Sequence, residues 1–509
     1  MLTLVLILFA FLICRSFYRL YWHPLSRFPG PKLAAASRIY EFYHNVIHTG
    51  RYIWKIEELH RKYGTSDAFV PEWTNFSGSI VRVGPNEVHI NDPSYFSEIY
   101  PGNSQKRNKD KFYLRMLITL SDSTVATGEH ELHQKRRNHS LKHFSKKSIV
   151  DIEPRLKPSI EKMMEIVQQR GSTGAVFCLD SLAMAMGTDV TSEYLFGLPL
   201  GFLDTPDRAN TIKDVLFSMS HYGPLMTFIP FGDRLRHLVP TSFIARVSSD
   251  TRVVLENERV IRDICALKLQ APATPFSKFT LVDSLNDPTL PPSERTLDRI
   301  TAESIQFLLA GTETTGWAIA VTMFHLLSER PMLLRLREEI KQVLVRASDY
   351  PSWTALEALP YLRAVILEGL RLSLVTINRF PLYDTENTLV YKDWAIPQGT
   401  SVSQSMWFVH MNEEIYPEPS KFNPERWLSA GESLMRYFVP FLRGSRDCMG
   451  KNLAYAEMYV VVALLVRRFD MELYETGLPD VTPYRDGMIT HKADGSQGVR
   501  VTVTKVLAD

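Results

Sequence analysis

The feature that most constrains this chain is the stretch Phe441-Leu-Arg-Gly444-Ser-Arg446-Asp-Cys448-Met-Gly450. A cysteine set among glycines and arginines, just ahead of an apolar helical run, is poorly suited to a core and well suited to a ligand loop. The thiolate is the metal-binding form of cysteine, and glycine lets backbone approach a bound group closely. Backbone N–H groups at the start of the helix expected near Gly450 would stabilise the negative sulfur. The competing reading is a buried structural cysteine. The other three cysteines, Cys14, Cys178 and Cys265, lie far apart and form neither a zinc pattern nor a disulfide framework. That fits a reducing compartment, with Cys178 and Cys265 packed as small hydrophobes.

A second constraint is Ala310-Gly311-Thr312-Glu313-Thr314-Thr315, set inside the longest apolar helical pattern (302–327). A helix apolar on nearly every side is central, and four consecutive polar residues there are costly unless they act. Ala310 and Gly311 leave room for a flat cofactor. Threonine hydroxyls bonding back to helix carbonyls are expected to bend the helix locally. Further helical patterns run over 145–169, 249–269 and 333–346, with short strand-like pieces at 79–90, 388–395 and 499–506. No internal linker, repeat or low-complexity run interrupts them. One large helical domain is therefore expected over 35–509, although 509 residues alone would suggest two or three. Residues 65–79 show neither period and read as a surface loop or as a disturbance of the first sheet.

The N-terminus stands apart. Residues 1–14 carry no charge, and the aromatics of Phe17–Trp22 can extend the run to a membrane interface, with Arg15 and Arg19 snorkelling. Residues 1–22 thus read as a retained anchor, since a cleaved signal would have basic residues first and small residues at the cleavage site. The positive charge follows the anchor, so the body is expected to face the cytosol. Residues 23–34, with Pro29-Gly30-Pro31, read as a stiff hinge. The net charge of +2 offers no field for nucleic acid.

The Cys448 loop resembles the haem-binding loop of the cytochrome P-450 family, with Phe441, Gly444, Arg446, Cys448 and Gly450 at the family's spacing. The stretches 18–43 and 410–427 look like filamentous-fungal members, especially trichodiene-oxygenase-like enzymes. The resemblance implies a mainly α cytochrome P-450 fold with small sheets, haem b on Cys448, and Glu313 and Thr314 as an acid–alcohol pair that moves protons. Thiolate ligation pushes electron density onto the iron and favours O–O cleavage. It implies propionate donors at Arg446, His133 and Arg137. It also implies a buried structural triad of Glu368, Arg371 and Arg426, although such a helical Glu–Arg pair alone reads as a surface pair.

The implied activity is insertion of one oxygen atom of O2 into an apolar terpenoid or polyketide. Electrons would come from NADPH through a flavoprotein reductase, or from a cytochrome b-type donor, at the endoplasmic reticulum membrane. Lys142, Lys146, Lys147, Arg443 and Lys451 would form the cationic docking face, with a simple basic surface helix as the rival reading of the His133–Arg137 segment. Pocket loops are expected around 65–91, 103–121 and 217–243. One departure matters. The family often carries Arg-Leu-Pro-Arg after the Glu-x-x-Arg helix, but here Arg379-Phe-Pro-Leu382 lacks the last arginine, a propionate donor. Arg379 is the nearest substitute. Two alternatives remain: a haem-thiolate isomerase or dehydratase that does not use O2, against which the intact Glu313-Thr314 pair speaks, and a non-catalytic haem sensor. A helical scaffold without haem is a remote fourth.

Overall fold

The computed structural model describes residues 2–64, 79–205, 223–229, 249–270 and 279–507, so residues 65–78 and most of the 217–243 segment lie outside the described residues. At its centre lies helix Leu297–Ser328, buried on nearly all sides. Helix Leu179–Phe196, equally enclosed, packs along it. Such all-round burial is what an apolar pattern without a polar face demands. The spacing between the two helices is set by missing side chains. A Cβ on Gly311 would overlap Thr191 Oγ1, one on Gly187 would come 2.9 Å from the Gly311 carbonyl, and one on Gly316 would press on Met184. Helices Lys146–Thr173, Pro360–Ser373 and Lys451–Arg468 complete the core.

The helical patterns read from sequence correspond to Lys146–Thr173, Ser249–Gln270, Leu297–Ser328 and Arg330–Ile340. No break interrupts the central helix where the threonines cluster. Thr312 and Thr314 do bond back, to the Leu308 carbonyl at 2.7 Å and the Ala310 carbonyl at 2.6 Å, but the helix runs unbroken. Thr312 also faces Thr188 Oγ1 at 3.0 Å across the closely packed helix pair.

Two of the strand-like pieces are hairpins. Ile80–Gly84 pairs antiparallel with Glu87–Ile90, and Leu389–Tyr391 with Trp394–Ile396. The larger sheet runs Ile80–Gly84, Glu87–Ile90, Ser401–Ser403, Leu382–Tyr383, Asn108–Lys109, with Lys109 directly opposite Leu382. Arg500–Val506 lies between Phe177–Cys178 and Phe469–Leu473.

The helix Leu2–Tyr21 has no buried residue and is long and apolar enough to cross a membrane. At about 1.5 Å per residue, 20 residues match a hydrocarbon core of about 30 Å. The segment read as a hinge is docked on the body. Leu25 and Phe28 are buried, Arg82 donates to the Leu25 carbonyl at 3.1 Å, and a short helix begins at Lys32. Cys265 is buried like a small hydrophobe, whereas Cys178 is only half-buried and hydrogen-bonds Asp180.

Candidate active site

One cavity of about 340 Å³ collects most of the residues singled out above. Its lining includes Cys448, Phe441, Arg446 and Gly450 from the loop, Ala310, Gly311 and Thr314 from the central helix, and His133 and Arg137 from helix His130–Leu141. The remainder is mainly apolar, with Leu195, Phe307, Leu370, Val375, Phe380 and Met406 among it.

The Cys448 loop is held by backbone bonds. The Cys448 N–H donates to the Phe441 carbonyl at 2.8 Å, and Ser445 N–H to the Pro101 carbonyl at 2.8 Å. Gly444 has φ +75°, and any Cβ there would strike the carbonyls of Tyr100 and Pro101, so only glycine fits. Protein surrounds Cys448, yet its surface is open because it faces the cavity. Burial raises its thiol above the ordinary value, against the pull of the Gly450 N–H, Arg137 and Lys451. A bound metal ion overrides that balance, since a coordinating thiol gives up its proton.

Arg446 donates to the backbone carbonyls of Thr127 at 3.0 Å and Gly128 at 2.7 Å, while its Nε has no partner. His133 is buried with Nδ1 unpartnered, and burial, then Arg446, lowers its pKa to about 2, so the ring is neutral. Arg137 donates to the Asp447 carbonyl at 2.7 Å and pairs with the Asp447 carboxylate. A thiol facing the cavity and orphaned polar atoms beside it fit a planar, carboxylate-bearing metal cofactor.

The central helix splits the Glu313-Thr314 pair. Thr314 lines the cavity, while Glu313, about 100° further round the helix, is not among its described lining residues. Gly311 lines it too, but its missing Cβ serves the contact with Thr191. Gly311→Ala is therefore expected to cost about 1–3 kcal/mol through overpacking. A thermal midpoint equal to that of the parent protein would show that Thr191 yields freely.

Glu368, Arg371 and Arg426 come together in a buried cluster, not at the surface. Arg371 grips Glu368 through two bonds of 2.8 and 2.9 Å, and Arg426 reaches it at 3.1 Å. Trp427 Nε1 and the Asn423 N–H also donate to Glu368, at 2.8 and 2.9 Å. Sequence reasoning missed Trp427 in this role, although it adjoins Arg426. It also missed His410, which carries the cluster toward the loop. Arg371 donates to the His410 carbonyl, and His410 Nε2 accepts from the Val439 N–H at 3.1 Å.

Arg379 is not a substitute for the missing arginine. It is fully engaged elsewhere, with Nε 2.5 Å from Glu87 and a second pair to Glu41. The cationic face is partly neutralised, since Lys146 pairs with Glu357 and Lys451 with Asp447 at 2.9 Å, while Lys142 and Lys147 are exposed.

A mainly helical body around a cavity walled by a cysteine loop fits a haem-thiolate protein. The chain belongs to the cytochrome P450 family, whose model matches residues 68–495. It is similar to conidiogenone synthase of Penicillium rubens, 37% identical over 98% of both chains. It is also similar to the cytochrome P450 monooxygenase TRI4 of Trichoderma arundinaceum, 36% identical over 92% of this chain and 88% of that one. The cytochrome P450 monooxygenase aflU of Aspergillus parasiticus is 36% identical over 96% and 95%. The chain is thus an oxygen-incorporating oxidoreductase, and its family implies a haem-iron cofactor.

Proposed function

We propose that this protein is a haem b monooxygenase of secondary metabolism that hydroxylates or epoxidises an apolar terpenoid or polyketide. The observation that carries the reading is that Cys448 and Thr314 line the same largely apolar cavity. Bound on the Cys448 sulfur, haem supplies dioxygen activation with electrons from NADPH. The chain's own residues do the rest. Arg446, His133 and Arg137 orient the cofactor's carboxylates. Thr314, its hydroxyl anchored on the Ala310 carbonyl, holds a proton at the cavity wall, and Glu313 feeds that position from the neighbouring helix face. Phe307, Val375 and Phe380 exclude water and select an apolar substrate. Lys142 and Lys147 give an acidic flavoprotein reductase a place to dock, with a cytochrome b-type donor as the alternative source of electrons. The helix Leu2–Tyr21 anchors the protein in the endoplasmic reticulum membrane with its body in the cytosol. The relative named conidiogenone synthase and the TRI4 monooxygenases support a secondary-metabolite substrate.

The test is turnover of a terpenoid panel with NADPH, reductase and isotopically labelled dioxygen. One labelled oxygen atom per product is expected. Conversion of an organic hydroperoxide without NADPH or dioxygen would replace this reading with that of an isomerase. Thr314→Ala should keep the haem spectrum yet divert most reducing equivalents to hydrogen peroxide. Tight coupling in that variant would remove Thr314 from the proton path.

A further inference from the structure

Most polar groups on the cavity wall are engaged. Thr314 and Ser373 bond carbonyls of their own helices, and Gln306 accepts from the Val125 N–H at 2.8 Å. Thr191 Oγ1 lies against Gly311 between two helices. The unpartnered atoms of Arg446, His133, Glu457 and His410 belong to the cysteine loop, the helix after it and the segments bonded to it. Two neutral hydroxyls are left, on the wall formed by residues 111–114 and 374–382. Tyr113 is 8% exposed and Thr376 is half-buried, and both line the cavity. Among the described residues neither hydroxyl has a hydrogen-bond partner. A buried hydroxyl without a partner is destabilising, and phenylalanine and valine would keep the same shapes without it.

The two belong to one end of the cavity. The Tyr113 ring stands edge-on to Phe380, with centroids 6.2 Å apart, and Phe380 lies on the same segment as Thr376. That segment is held from outside, since the Thr490 N–H donates to the Val375 carbonyl at 2.9 Å. Burial, then the Asp486 carboxylate, raises the Tyr113 phenol well above its ordinary range, so it remains a donor. Tyr113 also borders a smaller space of about 20 Å³ with Asn45 and Asp486, room for a single water, which is the rival partner.

We propose that Tyr113 and Thr376 bind a carbonyl or hydroxyl oxygen that the substrate already bears, so that this enzyme oxidises an oxygenated skeleton and not the bare hydrocarbon. A step that installs oxygen, either another oxygenation or a cyclisation ended by water, must then supply the substrate. The inference rests on the apolar-substrate reading above and narrows it to a skeleton that is apolar except at one end. Binding that end leaves the remaining carbons to face Cys448 and Thr314.

Full-length, haem-loaded protein is titrated with matched pairs of one skeleton, such as the sesquiterpene hydrocarbon valencene and its ketone nootkatone, over a panel of ring systems. Dissociation constants are read from the shift of the Soret band. The parent is expected to bind ketones roughly tenfold more tightly than the matching hydrocarbons, the scale of one neutral hydrogen bond. Tyr113→Phe keeps the ring and its packing. It should remove most of that preference while leaving hydrocarbon binding and the carbon monoxide spectrum unchanged, and Thr376→Val should remove a smaller share. Without ligand, both variants should melt at or above the parent's midpoint, whereas a hydroxyl with a structural role would lower it. An undiminished ketone preference in Tyr113→Phe/Thr376→Val overturns the proposal and leaves Tyr113 to a water beside Asp486. A parent that binds hydrocarbon and ketone equally across the panel overturns it too. A parent with a normal carbon monoxide spectrum that binds no member of either kind would instead refute the apolar-substrate reading, and the proposal would fall with it.

Discussion

Cys448→Ser should abolish the reduced, carbon monoxide-bound Soret maximum of thiolate haem and all NADPH-dependent oxygenation, with helical content unchanged. The fold should tolerate the change, since the loop is fixed through backbone. The Cys448 N–H to Phe441, the Ser445 N–H to Pro101 and the conformation of Gly444 do not involve the sulfur. The serine hydroxyl cannot take the place of the sulfur. An alcohol holds its proton at neutral pH, and burial already works against the charged form at this position. Loss of a partner outside the metal's own ligands typically costs about 10–100-fold in affinity or activity, so loss of the ligand itself should exceed that. Absorption spectra of both proteins, with circular dichroism beside them, decide the matter. An unchanged Soret maximum in the variant would mean that another side chain holds the iron.

What was legible in the sequence was what is local. The Cys448 loop is contiguous, so its glycine, arginine and cysteine spacing could be read directly. The central helix was legible because its apolar pattern lacks a polar face. The residues that escaped notice act across long separations. Lys109 lines the cavity opposite Leu382, 273 positions on, through a strand register that no pattern around residue 109 discloses. Arg379 has the right chemistry and the right place in sequence for a haem carboxylate, yet Glu41 and Glu87 reach it first. The central helix stayed unbroken for a similar reason. A threonine bonding back to its own helix can open a turn, but Thr312 is clamped against Thr188 of a second helix, and Gly187 of that helix with Gly311 and Gly316 of the central one hold the pair close. Tertiary packing overrode a correct local tendency.

The largest expected loss of stability comes from Arg371→Ala. Arg371 and Glu368 are both fully buried, and burial by itself pushes the Glu368 carboxyl upward. The hydrogen bonds and charge of Arg371, and then Arg426, outweigh that and hold it below its ordinary value. A carboxylate with a depressed folded-state pKa contributes stability above its unfolded value, about 4.3, and that contribution is lost as pH falls through the folded value. Without Arg371 that balance weakens. Glu368 keeps the Trp427 and Asn423 donors but only Arg426 as a charged partner, and breaking a buried pair costs about 3–5 kcal/mol, a large part of the roughly 5–15 kcal/mol that holds a domain together. The variant should lose haem on mild heating, and it should lose most of the gain in stability from low to neutral pH that the depressed Glu368 carboxyl gives the parent protein. A buried pair replaced by two apolar residues is often harmless, but here it should not be. Arg371 also donates to the carbonyls of His410 at 2.9 Å and Pro419 at 2.7 Å. Glu368 accepts from Trp427 and the Asn423 N–H, and Glu368→Leu/Arg371→Met takes the partner from all four groups, which are buried or half-buried. Thermal haem-release midpoints of the single and double variants across pH test both statements. Full recovery in the double variant would show that the cluster contributes charge pairing alone, and not the hydrogen bonds that tie the 410–427 segment to the cysteine loop.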